Sequence, residues 1–210
     1  MFAFVALVLA PTLVAHDEGA ALFSTDELIA DCRGSLQTSA PERVIQQIAR
    51  RAASNGAQVA RALGAPSRSG IFSVYQSAEL TILNIVWAPG MSIHPHDHKM
   101  WAVIAVYEGR EENTFYERTA AGLLRTSSTS VFAGDAVLLD ANVIHAVTNP
   151  LRRFTAALQI YGGDFFNVAR SEFDPVTLAE RPFNIERAKA AFVDANQRPS
   201  ADVVASVRLA

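Results

Sequence analysis

The run Met91-Ser-Ile-His-Pro-His-Asp-His-Lys-Met-Trp101 sets His94, His96 and His98 at alternate positions. Neutral imidazole is the commonest protein ligand for a transition metal. Alternate residues of a strand share one face, so the three rings can point the same way. Each two-residue step advances about 6.6 Å, which separates His94 from His98 by about 13 Å on a straight strand. Metal–imidazole bonds are only about 2 Å long. One ion is therefore within reach of an adjacent pair, either 94/96 or 96/98, and Pro95 does not remove that preference. A lone histidine at a strand end reads as solvated. An H-x-H pair with a further histidine, His145, on a later segment reads as a metal site.

The surrounding elements must present these rings. From Ile71 onward the chain consists of short β-rich runs separated by turn residues: IFSVYQ, LTILNIVW, MWAVIAVYEG, NTFYER, TSVFAG, AVLLD, HAVTN and FTAALQIYGG. Seven or eight strands with no helical period between them predict an antiparallel sandwich or barrel rather than βαβ units. Upstream, Ser24-Thr-Asp-Glu27 reads as a capping box for a helix over 24–37. Ser39-Ala-Pro-Glu42 repeats the start signal, Asn55-Gly56 divides the second helical stretch, and Gly64-Ala-Pro66 ends it. A final amphipathic helix opens at Asn184-Ile-Glu186 and ends near Asn196, ahead of a polar tail. The expected organisation is an apolar leader over 1–20, a helical segment over 21–66, a β-barrel over 67–182, and a helix and tail over 183–210.

Bulk properties narrow the function classes. The chain has 210 residues with 18 Lys and Arg against 21 Asp and Glu, a net charge of −3. That balance, with no basic patch interleaved with aromatics, argues against nucleic acid and anionic membrane as partners. Cys32 is the one cysteine, so no internal disulfide forms, and its helical position reads as a buried, inert thiol. The leader MFAFVALVLAPTLVA carries no Lys or Arg, unlike the charged start of a secretory signal, and Pro11 interrupts a run too short to span a bilayer. A cytoplasmic protein is expected.

The segment from about 70 to 176 resembles the cupin superfamily. Gly90, five residues, His96-x-His98 and then Gly109 follow that superfamily's first motif, with Ala102 where the motif has Glu. Gly134, Asp140, Asn142, His145 and Asn149 follow the second, with Asp140 and Asn142 replacing its Pro and Gly. The resemblance implies a double-stranded β-helix (jelly-roll) barrel, selects His96 and His98 over the 94/96 pair, and adds His145 as third ligand. His94 is left at the pocket rim. Three histidines without the carboxylate look like the thiol dioxygenases, a group that includes cysteine dioxygenase and mercaptopropionate dioxygenase. "HDHKMWAVIAVYEGREE" and "IHAVTNPLRRFTAALQIYGGDFFNVARSEFDP" are similar to stretches of the bacterial enzymes.

That resemblance implies Fe(II), O2 and a small thiol-bearing acid oxidised to its sulfinate, by a monomer or small homo-oligomer. Tyr161 matches the family's catalytic tyrosine. The family's Ser-x-His-x-Tyr strand reads Ala157-x-Gln159-x-Tyr161 here; Gln159 can hydrogen-bond the phenol but does not titrate near neutrality. Arg170 matches an arginine near the substrate carboxylate, and Trp101 and His94 are further candidates for substrate contact. Ile71 stands near the place of the family's other anchor, with Gln76 or Arg68 as substitutes. Trp87 is expected in the barrel wall. Asp97 should point away from the metal into solvent or a turn, and Glu108, Glu111 and Glu112 should lie on an exposed hairpin. The departures at 157 and 159 leave two alternatives open: a three-histidine metalloenzyme acting on another small substrate, and a non-enzymatic cupin that binds metal or ligand.

Overall fold

A computed structural model describes residues 22–120 and 122–198. The apolar leader, and the tail from 199, lie outside the described residues. Three helices come first: α1 (Thr25–Ser35), α2 (Pro41–Ser54) and α3 (Gly56–Leu63). Ser24 caps α1 by accepting a hydrogen bond from the Glu27 amide at 3.3 Å, as the capping box predicts. The α2 cap is Ala40, not Ser39, with Pro41 supplying the preset φ of a first helical turn.

Eleven strands follow: β1 (Gly70–Gln76), β2 (Thr81–Trp87), β3 (Ser92–Asp97), β4 (Ala102–Glu108), β5 (Arg110–Thr119), β6 (Gly122–Phe132), β7 (Ala136–Leu139), β8 (Ile144–Thr148), β9 (Thr155–Tyr161), β10 (Ser171–Phe173) and β11 (Glu180–Pro182). They form two antiparallel sheets, ordered β1-β2-β9-β4-β7 and β11-β10-β3-β8-β5-β6. From β2 to β5, and again from β7 to β10, each successive strand lies in the opposite sheet. This repeated crossing is the mark of the double-stranded β-helix. The fold is thus mainly β, with helices at both ends. The two short strands β10 and β11 escape the sequence pattern because Asp174-Pro175 and the turn after it interrupt them.

The central strands β2, β9 and β4 of the five-stranded sheet are buried on both faces. Along β4, Ala102, Ile104 and Val106 face the barrel interior with Leu83, Ile85 and Trp87. Val103, Ala105 and Tyr107 face the helices, where Ile45, Ile48 and Val59 meet them. Each such fully buried aliphatic side chain contributes about 1.5–3 kcal/mol. Double burial explains why LTILNIVW reads as a continuous apolar run instead of alternating. Gly109 (φ +80°) turns β4 into β5, and a Cβ there would strike Thr155.

The last helix, α4 (Ile185–Gln197), is capped by Asn184, whose side chain accepts from the Glu186 and Arg187 amides. It closes one mouth of the barrel. Phe192 packs on Trp87 with ring centroids 5.2 Å apart. Asn196 and Ser69 exchange hydrogen bonds of 2.8–2.9 Å, tying the helix end to the start of β1.

Candidate metal centre

His96 and His145 are cross-strand partners on β3 and β8. β3 ends at Asp97, so His98 reaches the same place from the turn beyond it, where Lys99 takes a positive φ of 56°. His96 Nε2 lies 3.1 Å from His98 Nε2, which lies 3.4 Å from His145 Nε2. Ligand atoms about 2 Å from a common ion would stand about this far apart. Among the described residues these three form a group able to hold a metal ion.

Their hydrogen bonds set the tautomers. His96 Nδ1 lies 3.0 Å from the His94 carbonyl, which can only accept, so Nδ1 carries the proton and Nε2 offers its lone pair. His145 Nδ1 similarly donates to Asn113 Oδ1 at 2.8 Å. Both rings therefore turn bare lone pairs toward one point, an arrangement that fits a bound cation. Burial holds His96 and His98 well below the ordinary imidazole pKa, and burial plus the Arg170 charge takes His145 down to about 4. All three are neutral ligands at neutral pH. Ala102 is fully buried in the same interior and pairs with Tyr161 across β4 and β9, so no carboxylate stands at that position.

His94 departs from the alternation. The β3–β8 register shifts between Ile93 and His96, which takes the His94 ring out of line with its neighbours. The ring lies 3.2 Å from buried Glu172, which also pairs with Arg181 and Arg187. Its contribution to the centre is the backbone carbonyl.

Tyr161 lies beside the histidines, its ring centroid 5.0 Å from that of His98. Burial raises its pKa above the ordinary phenol value. Its hydroxyl donates to Gln159 Oε1 at 2.5 Å. Arg170 is 6% exposed, and its guanidinium sits between the rings of Phe165 and Phe183 at 4.0 and 3.8 Å. None of its three nitrogens has a hydrogen-bond partner among the described residues. Burial lowers its pKa to about 10, so it stays charged at neutral pH. A cavity of about 30 Å³ opens among His96, His145, Gln159 and Tyr161, with Ile71, Ile85 and Val147 among its apolar walls; Phe165 and Phe183 line it too, but Arg170 between them does not.

Trp101 does not line that cavity. It packs with the helix-facing cluster and abuts Gly162, where a Cβ would strike the indole. Asp97 does point away from the histidines but is fully buried, paired with Lys99 and Arg118 at 3.0 Å and accepting from the Ser171 amide. Glu111 is the larger correction: it is fully buried, not on an exposed hairpin. Its Oε1 accepts from Trp87 Nε1 at 2.6 Å and from Gln159 Nε2 at 3.4 Å. Alternation along Arg110-Glu111-Glu112-Asn113-Thr114-Phe115 was the available signal. It puts Glu111 and Asn113 on the face that Phe115 shares, and Phe115 stacks on His145.

No protein-family model matches the chain. Solved structures similar to it include a Klebsiella pneumoniae protein with a double-stranded β-helix domain. That likeness has 16% identity and a TM-score of 0.41, covering 51% of this chain and 82% of the other. A cupin superfamily protein from Desulfitobacterium hafniense is 19% identical with a TM-score of 0.38, covering 47% of this chain and 82% of that one. Oxalate oxidase in complex with glycolate is 15% identical with a TM-score of 0.37, covering 48% of this chain and 53% of that one. These are likenesses of fold; the site stands on its own geometry. No helix among the described residues is long and apolar enough to cross a membrane.

Proposed function

We propose that this protein is a mononuclear non-haem iron dioxygenase similar to the thiol dioxygenases, converting a small thiol-bearing acid to its sulfinate. The observation that carries the reading is the pairing of three neutral imidazoles, uncompensated by a carboxylate at 102, with a buried guanidinium that lacks a partner. His96, His98 and His145 would hold Fe(II), which supplies redox chemistry with O2 and a positive charge that favours the substrate as thiolate. The balance is RSH + O2 → RSO2H: both oxygen atoms end on sulfur, which gives up four electrons.

The protein's own groups do the rest. Arg170, whose nitrogens have no partner among the described residues, would take the substrate carboxylate, since a planar guanidinium matches it in two parallel hydrogen bonds. Phe165 and Phe183 hold the guanidinium flat from either side and exclude water from it. The apolar walls keep the effective dielectric low, which strengthens both charge interactions. Tyr161 stands beside His98 with a hydroxyl whose direction Gln159 sets. The cavity of about 30 Å³ has room for about one water, so a substrate enters only as its walls move apart.

A second reading, oxidation of a different small acid by the same centre, is favoured by Ala157 and Gln159, which cannot relay protons as a serine–histidine pair does. Metal analysis followed by oxygen uptake with thiol and non-thiol acids separates the two. Uptake confined to non-thiol acids selects the second reading, and metal binding without uptake selects a binding protein.

A further inference from the structure

Glu111 has no place in that proposed chemistry, yet it is a fully buried carboxyl at the end of a hydrogen-bonded chain that runs to the site. Trp87 Nε1 donates to its Oε1, as does Gln159 Nε2, while Gln159 Oε1 accepts from the Tyr161 hydroxyl. Asn113 Nδ2 approaches the carboxyl without closing a well-formed bond, and Glu111 Oε2 has no partner among the described residues.

We propose that Glu111 is a positioning residue of this site: its protonation state orients the Gln159 amide, and through it decides whether the Tyr161 hydroxyl points away from the three histidines or toward them. An ionised carboxylate only accepts hydrogen bonds. It draws the Gln159 NH2 to itself and leaves the Gln159 carbonyl to Tyr161, so the phenolic proton points at Gln159 and the oxygen lone pairs face the cavity. A protonated Glu111 gains an O–H donor while still accepting from Trp87. Its O–H meets the Gln159 carbonyl, the turned amide gives an N–H to the phenolic oxygen, and the Tyr161 proton is free to enter the cavity. Both arrangements keep two hydrogen bonds along Glu111–Gln159–Tyr161, and they differ by one proton on Glu111 and one amide flip. The flip converts Tyr161 from an acceptor into a donor at the place where a substrate would react.

The surroundings favour two accessible states. Burial pushes the Glu111 carboxyl up to about 7, against the hydrogen bonds from Trp87 and Gln159 and the nearby Asn113 amide. The groups packed around it are neutral on β2 (Trp87), β5 (Asn113) and β6 (Val131, its register partner). On β9 the facing titratable group is Tyr161, and beyond it lies the Arg170 charge, which acts on Tyr161.

For its catalytic meaning the inference rests on the metal-centre reading, but its test does not. The chain has two tryptophans and four tyrosines. The Trp87 indole N–H therefore gives one of two cross-peaks and reports Glu111 directly, and the Tyr161 ring carbon bearing oxygen is assigned with Tyr161→Phe. Both are followed by NMR from pH 5 to 9 in the full chain, metal-free and with diamagnetic Zn(II). The expected result is movement of both signals with one midpoint near 7, lost for both in Glu111→Gln. In Gln159→Leu, Trp87 should still move and Tyr161 should not. A Tyr161 signal that stays still while Trp87 moves, or one that moves unchanged in Glu111→Gln, would overturn the proposal. Should Glu111→Gln not fold, Gln159→Leu decides, because Glu111 keeps its Trp87 partner there. Absent oxygen uptake with this coupling intact would count against the dioxygenase reading and not against the role of Glu111.

Discussion

Three histidines in alternation look equivalent, and the backbone makes them unequal. His94 supplies a carbonyl to His96, whereas His96, His98 and His145 supply lone pairs. His94→Ala keeps the carbonyl, so it should retain most bound metal, while alanine at 96, 98 or 145 should lose it; metal content of the purified variants checks this, and equal loss in all four contradicts the assignment. Arg170 is a buried charge without a hydrogen-bond partner among the described residues, and under the proposed function its burial serves binding and not stability. Two aromatic faces offset only part of its desolvation. Arg170→Met should raise the stability to unfolding by about 1 kcal/mol and abolish binding of small acids, as read by denaturant melts and ligand titration. Glu111 carries the opposite pH signature to an ion-paired acid. Its folded pKa, about 7, lies above the 4.5 of the exposed group, so its favourable contribution is complete below about 4.5 and is lost as pH rises to about 7. Thermal melts at pH 5 and pH 8 should therefore show Glu111→Gln gaining on wild type as pH rises, by up to about 3 kcal/mol.

At the scale of elements, the strand alternation was legible where one face is solvent and illegible where both are buried. β5 carries a readable inward face of Glu111, Asn113 and Phe115, masked by the charge of its sequence, which drew Glu111 to the surface in the sequence reading. β2, β4 and β9 are apolar on both faces, so their inward members emerge only with the helices in place. The bulge at His94-Pro95 breaks the period that the straight-strand estimate assumes. The helix caps at Ser24 and Asn184 were readable because capping is local chemistry. The role of α4 was not, because it depends on contacts across more than a hundred residues, Asn196 with Ser69 above all. Asn196→Ala should cost about 1–3 kcal/mol and free the end of α4. Faster amide exchange in α4 and easier quenching of Trp87 fluorescence would register that, and unchanged exchange would show that Phe192 alone anchors the helix.

At the scale of the whole molecule, a doubly covered sheet supplies rigidity and a second sheet supplies ligands. The three histidines come from β3, the turn after it and β8, all at the second sheet, and Arg170 immediately precedes β10 of that sheet. Tyr161, Gln159 and Trp87 face them from the first sheet, on β9 and β2. The site is thus the space between sheets, and its chemistry depends on the barrel keeping that spacing. Two short motifs made the histidine group and the fold legible, because turn glycines and ligands recur at fixed separations. Arg170 was visible by resemblance, but its lack of a partner was not, since that depends on what fails to arrive from the rest of the fold. Thiol dioxygenation is tested most directly by oxygen consumption of the iron-loaded protein with cysteine, mercaptopropionate, cysteamine and non-thiol acids. Uptake is expected with a carboxylate-bearing thiol, together with stoichiometric sulfinate and loss of both in His145→Ala. No uptake with any thiol, from protein shown to hold one iron, would contradict that activity.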